Sequence, residues 1–267
     1  MPLHITLTIT ILVGSIVFCL FLAIGGHIMQ HRRGALTPPP LFPVNRSINF
    51  FVYFYTAFFI IIFGMAAAHA YMMGGSSSYE GIRAMDLIRS SIEQTLLYLP
   101  CIIIYAFLPA RENPRIPFRT KIIWVIVGLM IVTIPAQLME SFGFNHYLSE
   151  LTGCPEQQNV VESMAKGTPE VKAVIACMAV LVAPITEECL FRGFIYNILK
   201  NKSGAISAAI ASSILFSAVH TSLAQFIPLT LFALVQCYLY EKSRSLALPI
   251  IFHMLFNGVS TLVILSL

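Results

Sequence analysis

The chain has 267 residues, of which 57% are hydrophobic and only 10% charged, and its net charge at neutral pH is +4. A soluble domain carries about 25% charged residues. This composition and the mean hydropathy of +0.82 exclude a soluble globular protein and indicate that the solvent is lipid. The length accommodates about eight spans of ~20 residues, which predicts a single integral membrane domain over 1–267.

Apolar runs predict an all-α fold, a polytopic bundle of about eight transmembrane helices. Only helices satisfy every backbone hydrogen bond internally over runs of this length in lipid. The first run is too long for the apolar part of a signal peptide, and Arg32 and Arg33 follow it, so we expect it to be retained. The predicted spans are 3–29, 48–73, 91–109, 121–139, 171–199, 205–221, 225–240 and 247–266.

Lysine and arginine are concentrated in alternate connections between the predicted spans. Because basic connections stay in the cytoplasm, we expect both termini of this multi-pass cell-membrane protein to be extracytoplasmic. The connection at about 140–170 would then lie outside, as a surface helix or a lid. The basic residues of the predicted cytoplasmic connections are Arg32, Arg33, Arg46, Arg111, Arg115, Arg119, Lys121, Lys200, Lys202, Lys242 and Arg244.

Ionisable residues inside the predicted spans are concentrated in the last four. A charge at the middle of a bilayer costs about 2.5–3.5 kcal/mol on insertion scales, so such residues are usually paired or functional. We therefore expect 171–267 to be a catalytic core of four spans with an active site in a cavity among them. Residues 1–170 would add four N-terminal spans and the outer loop.

The fifth predicted span contains two adjacent glutamates, in the string APITEECLFRG. Glu188 and Arg192 are four residues apart, so they share a helix face and can pair. Glu187 lies about 100° further round the helix, which leaves its carboxylate available for chemistry. Pro184 lacks an N–H and should kink the helix by freeing the carbonyl of Val180.

Two other spans contribute residues that can act on the same substrate. Phe216 and His220 end the sixth span, and His253 and Asn257 begin the eighth, each pair with a spacing of four residues. Three helices can thus direct Glu187, both histidines and the asparagine into one cavity. A glutamate with a histidine can hold and deprotonate water, whereas histidine and asparagine can donate to an oxyanion.

The motifs E-E-x-x-x-R, F-x-x-x-H and H-x-x-x-N follow one another on separate predicted spans within 171–267. This combination resembles the CAAX protease and bacteriocin-processing family, also called the Abi family, which includes the Ras-converting CAAX endopeptidases. The longer string EECLFRG matches a common form of the first motif. The resemblance implies an intramembrane glutamic endopeptidase, and we expect no cofactor.

By the same resemblance, Glu187 with His220 would activate water, and His253 with Asn257 would stabilise the oxyanion. The remaining motif residues would support them: Glu188 and Arg192 would brace the site, and Phe216 would pack beside the substrate. The implied substrate is a peptide or protein, such as a prenylated C-terminal tail or a leader peptide. We expect the lipid bilayer as surroundings and no nucleic-acid partner.

Several other interpretations stay open at this stage. The ion pair could only brace the helix, and the histidines and Asn257 could only join helices. Zinc held by Glu187, His220 and His253 would make a metal-dependent protease, although the sequence has no H-E-x-x-H pattern. A proton-coupled carrier could use the same residues as a relay, and a non-catalytic scaffold could retain them for structure.

The predicted depths of the site residues in the membrane do not agree. At ~1.5 Å per residue, Glu187 and His220 lie about 20–24 Å from the loop at 200–204, whereas His253 lies about 10 Å from the loop at 241–246. Straight helices of equal depth would not bring these residues together. We therefore expect a protruding or kinked fifth span, and a cavity that opens toward the cytoplasm.

Overall fold

A computed structural model describes residues 116–152, 159–220 and 222–266. In this part of the chain every regular element is a helix, which confirms the all-α prediction. The first two predicted spans, and almost all of the third, lie outside the described residues. Five isolated positions before residue 116 are also described: Met85, Leu87, Ile88, Ile92 and Thr95.

The described chain starts with an apolar helix followed by two short ones. Helix α1 (Phe118–Ser141) contains the predicted fourth span, and its 24 residues correspond to about 36 Å at 1.5 Å per residue. Gly143 then adopts a left-handed φ of +66°, and the chain turns into α2 (Phe144–Thr152) and α3 (Asn159–Lys166). The predicted outer connection thus contains helices.

The fifth span is a long, uninterrupted helix, Pro169–Ser203, in which three α-helical parts alternate with two π-helical parts. Thr168 caps it by accepting the N–H of Val171, and Pro169 occupies the first turn, where no N–H is needed. We call the whole run the long helix. Its parts are α4 (Pro169–Cys177), π1 (Met178–Val182), α5 (Ala183–Glu188), π2 (Cys189–Ile195) and α6 (Tyr196–Ser203).

Three more helices complete the described bundle. They are α7 (Ala205–Val219), α8 (Phe226–Ser243) and α9 (Ala247–Ser266), close to the last three predicted spans. Gly204 separates the long helix from α7 with a φ of +83°, a conformation that glycine adopts at little cost.

Three of the described helices are long and apolar enough to cross a bilayer: α1, the long helix over Pro169–Lys200, and α9. Helix α7 is apolar but shorter. Most large apolar side chains of α1 are exposed, as expected of a surface that faces lipid. The chain is therefore a membrane protein, and the total of about eight spans stays a prediction.

Helix α8 lies at the centre of the described bundle, in contact with α1, α7, α9 and π2. The side chains of Phe232, Phe252 and Leu239 are almost completely buried there. Helix α1 approaches through Gly128, where an added Cβ would lie 2.7 Å from Val235 and 3.0 Å from Phe252. Such close approach through a small residue is typical of helix packing in membranes.

Candidate active site

The two adjacent glutamates of α5 lie in different environments. Glu188 is 0% exposed, whereas the side chain of Glu187 is 14% exposed. Their part of the long helix is the short α-helical segment between π1 and π2. Because π-helical turns often occur at functional sites, this placement by itself marks the segment as a candidate site.

The predicted ion pair is present and fully buried. Nη1 of Arg192 donates to Oε1 of Glu188 at 3.0 Å, and both residues are at most 1% exposed. Nη2 of the same guanidinium donates to the carbonyl of Ala233 in α8 at 3.2 Å. The guanidinium also lies 4.8 Å from the centre of the Phe216 ring. The pair therefore joins π2 to α7 and α8.

Two further donors reach the same oxygen of Glu188. Nε2 of Gln236 in α8 lies 2.9 Å from Oε1, and Nδ1 of His253 in α9 lies 2.8 Å from it. The brace is thus directly connected to a histidine of the site. Gln236 was not among the predicted site residues, although an amide in the middle of an apolar span was a signal that could have revealed it.

His253 lies between the two glutamates. Its Nδ1 donates to Glu188, because a carboxylate oxygen can only accept. Its other ring nitrogen, Nε2, lies 4.0 Å from Oε2 of Glu187, which is longer than a hydrogen bond. Glu188 therefore sets the orientation of the imidazole, and Nε2 is the nitrogen on the side of Glu187.

His220 occupies the C-terminal cap of α7. Its Nδ1 lies 2.7 Å from the carbonyl oxygen of Phe216, so Nδ1 has to donate. In the neutral ring Nε2 then carries a lone pair that can accept a proton. The Phe216 ring lies beside the imidazole, 4.6 Å between centres, and is 1% exposed. Phe216 is thus chiefly a packing residue of this wall.

Asn257 joins α9 to the long helix, since its Nδ2 donates to the carbonyl of Ala179 at 2.8 Å. In π1 the N–H of Ala183 bonds to the carbonyl of Met178, five residues earlier. The same spacing assigns the missing N–H of Pro184 to Ala179. The freeing of the Val180 carbonyl, which assumed α-helical spacing, stays a prediction.

One cavity of about 800 Å³ connects the candidate residues. Glu187, His220, His253 and Asn257 all line it, whereas Glu188 and Arg192 lie behind its wall. Much of the remaining wall is apolar and comes from six helices of the described bundle, with side chains that include Met164, Ile175, Leu229, Phe232 and Phe256. The volume suits a peptide segment or a ligand of similar size.

The cavity extends toward one end of the bundle. Its wall includes Glu140 at the end of α1, Asn145 in α2 and Gln225 just before α8, so it reaches the end that carries the 142–168 connection. The basic loops at 200–204 and 241–246 lie at the opposite end. The distribution of lysine and arginine places this end of the bundle outside the cell, whereas we expected the cavity to open toward the cytoplasm. The two predictions therefore disagree with each other, and both stay predictions.

The depth problem is resolved by the connection before α9. Leu246 is 3% exposed and packs in one cluster with Cys189 and Tyr196 of the long helix. Helix α9 consequently starts inside the bundle, and α6 extends beyond this level. His253 reaches Glu188 after less than two helical turns for this reason.

Among the residues that the structure describes, no group of three or more His, Cys, Asp or Glu side chains is arranged to hold a metal ion. Glu187, His220 and His253, proposed above as the zinc alternative, share the cavity without forming such a group. The expectation that the protein uses no metal, and the zinc alternative to it, both stay predictions.

Comparison with known proteins bears on the family. Residues 169–259 match the family model described as "Type II CAAX prenyl endopeptidase Rce1-like". A Bacillus subtilis (strain 168) protein named "Putative membrane peptidase YdiL" is 23% identical over 147 residues, which are 55% of this chain and 58% of that protein. No solved structure matches the chain significantly. The matched segment contains all three motifs, and it is similar to the CAAX prenyl endopeptidases that the family model describes.

Proposed function

We propose that this protein is an intramembrane endopeptidase that hydrolyses a peptide bond by metal-independent, CAAX-type chemistry. One observation carries the proposal: Glu187, His220, His253 and Asn257, from three separate helical segments, line the same cavity. The family of residues 169–259 and the name of the Bacillus subtilis relative support a peptidase.

The water nucleophile would be activated by Glu187 and His220. The carboxylate of Glu187 is only partly exposed and has no basic partner as close as the one that Glu188 has. His220 offers the unprotonated Nε2 of its neutral ring, because Nδ1 donates to the Phe216 carbonyl. These two groups can orient a water molecule and take its proton as the oxygen attacks the scissile carbonyl.

The oxyanion would be stabilised by His253 and Asn257. Nδ1 of His253 already donates to Glu188, so Nε2 can donate only when the ring is doubly protonated. The Nδ2 atom of Asn257 uses one N–H for the Ala179 carbonyl and has a second N–H for the substrate. Donors fixed in this way need little reorganisation when charge develops on the carbonyl oxygen.

The cavity wall restricts the substrate class. Since most of the wall is apolar, an extended apolar peptide segment would be favoured over a polar one. A C-terminal tail with a prenyl group and a leader peptide both satisfy this condition. The substrate would approach from the bilayer or its surface, and no nucleic acid takes part.

The test is cleavage by the purified full-length chain in phospholipid vesicles, with a library of synthetic apolar peptides and mass spectrometry of the products. We expect new termini with wild-type protein in the presence of a chelator, and none with Glu187→Gln. Activity that disappears with the chelator and returns with zinc would favour the metalloprotease. Equal cleavage by Glu187→Gln would contradict the proposal.

We further propose that the protein resides in the cell membrane with the 142–168 connection outside, as the basic loops predict. The measurement is labelling of intact cells with a membrane-impermeant maleimide, in a Cys154→Ser background. Glu150→Cys should be labelled, because Glu150 is exposed in α2, whereas Lys242→Cys should be protected. The reverse pattern would invert the topology and place the cavity end in the cytoplasm.

A further inference from the structure

Gln236 is a fully buried amide whose position favours function over stability. It is 0% exposed, and its Nε2 donates to Glu188. Its side-chain oxygen has no hydrogen-bond partner within the described structure. A buried polar atom without a partner destabilises the folded state, so an apolar residue of similar shape would suit the bundle better. The amide therefore needs an explanation beyond packing.

The brace beside it is also incompletely paired. Arg192 donates through Nη1 to Oε1 of Glu188, whereas its Nε and the second carboxylate oxygen, Oε2, have no partner in the described residues. Guanidinium and carboxylate groups generally prefer a bidentate arrangement with two parallel hydrogen bonds. The observed single contact therefore leaves a more complete ion pair within reach of a small rotation of the carboxylate.

We propose that Gln236 is a positioning residue that prevents this rotation and so keeps Glu188 hydrogen-bonded to His253. Gln236 and His253 approach Oε1 from α8 and α9, while Arg192 approaches it from π2. Without the amide, Glu188 turns toward Arg192, Oε1 moves away from Nδ1 of His253, and the imidazole loses its fixed orientation. The catalytic consequence rests on the function proposed above.

The test uses Gln236→Leu and Gln236→Met, which keep the approximate volume and remove the donor. In the cleavage assay we expect kcat to fall on the order of tenfold to a hundredfold, since small displacements of catalytic groups cost this much. KM should stay within about twofold, because Gln236 does not line the cavity. Thermal stability should be unchanged or higher.

A spectroscopic measurement that needs no substrate tests the positioning role of Gln236 independently of the proposed peptidase function. Protein labelled with 15N-histidine in detergent micelles should show the Nδ1-protonated signal of His253, assigned with His253→Asn. That signal should shift or broaden in Gln236→Leu and Gln236→Met. A shift in a protein that cleaves nothing would support the positioning role while contradicting the peptidase.

The matched control is Cys237→Ala, on the adjacent position of α8. Cys237 is also buried but contacts Ser212 rather than Glu188, so kcat and the His253 signal should not change. An unchanged histidine spectrum in both Gln236 variants would overturn the proposal. Loss of folding in both would also overturn it, since Gln236 would then serve the fold.

Discussion

Glu187 and Glu188 are adjacent in sequence but lie in two regions with different physical environments. The layer around Glu188 is dry, and one oxygen of its carboxylate receives donors from three helical segments. Glu187, by contrast, borders a cavity of about 800 Å³, and its carboxylate is 4.0 Å from the nearest ring nitrogen of His253. One carboxylate is held in place, and the other faces the space in which a substrate would react.

The comparison shows how a membrane protein can keep a reactive acid in an apolar environment. Charged groups in lipid-surrounded protein are costly unless they are paired. In this bundle the pairing is done by Glu188 and Arg192, and His253 transmits it to the cavity. The chemistry proposed for Glu187 would therefore depend on a dry layer that does not line the cavity.

The largest effect on turnover is expected from substitution of Glu187, which lines the cavity. Glu187→Gln should reduce kcat about 10²–10⁴-fold, the usual contribution of a general base. Stability should change little, because the side chain is partly exposed. Turnover is measured in the vesicle cleavage assay, and unfolding is followed by fluorescence of Trp124, the single tryptophan of the chain. A large loss of stability would erase the distinction between the two glutamates.

A substitution in the dry layer around Glu188 should reduce the stability of the fold as well as turnover. Arg192→Ala leaves a buried carboxylate without its cation, and breaking one partner of such a pair costs about 3–5 kcal/mol. We expect a clear loss of stability together with a loss of turnover. Denaturant unfolding in micelles checks the first effect. Stability equal to that of the wild type would show that Glu188 does not need its brace.

A smaller effect is expected where packing supports the dry layer. In Gly128→Ala the new methyl group would crowd Val235 and Phe252, the residues that precede Gln236 and His253 in sequence. Overpacking of this kind costs about 1–3 kcal/mol. Gly143→Ala is a control for the glycine change itself, since nothing lies near its added Cβ, although its positive φ adds strain. Equal stability of Gly128→Ala and wild type would contradict the close approach of α1.

Among the substitutions that remove a contact between helices, Asn257→Ala should destabilise the protein least. Asn257→Ala removes the hydrogen bond to the Ala179 carbonyl, which should cost about 0.5–1.5 kcal/mol. If Asn257 also donates to the oxyanion, turnover should fall about 10²–10³-fold. A loss of turnover below about tenfold, with the expected loss of stability, would assign Asn257 to helix joining alone.

Helical spacing made much of the site predictable. The four-residue separation of Glu188 and Arg192 was sufficient to predict their ion pair, because neighbours on one helix face depend only on helix geometry. The same geometry separated Glu187 from that face. The helix bounds after residue 116 were also close to the predicted spans, since apolar runs between basic connections give a strong signal in membrane proteins.

Other features depended on contacts between helices, which no spacing within one helix can reveal. The hydrogen bond from Gln236 to Glu188 joins residues 48 positions apart, and the one from Asn257 to Ala179 joins residues 78 positions apart. The two π-helical parts of the long helix were not predicted either, because no residue spacing in the sequence indicated them.

The sequence alone determined the membrane environment, the helical periods and the set of polar side chains that had to be buried, because these follow from local composition and geometry. Only the tertiary structure decided that Glu188, rather than Glu187, receives His253, that Leu246 lies deep in the bundle, and that the cavity extends toward the 142–168 connection. Those outcomes depend on the relative depth and rotation of packed helices, which only contacts between helices can fix.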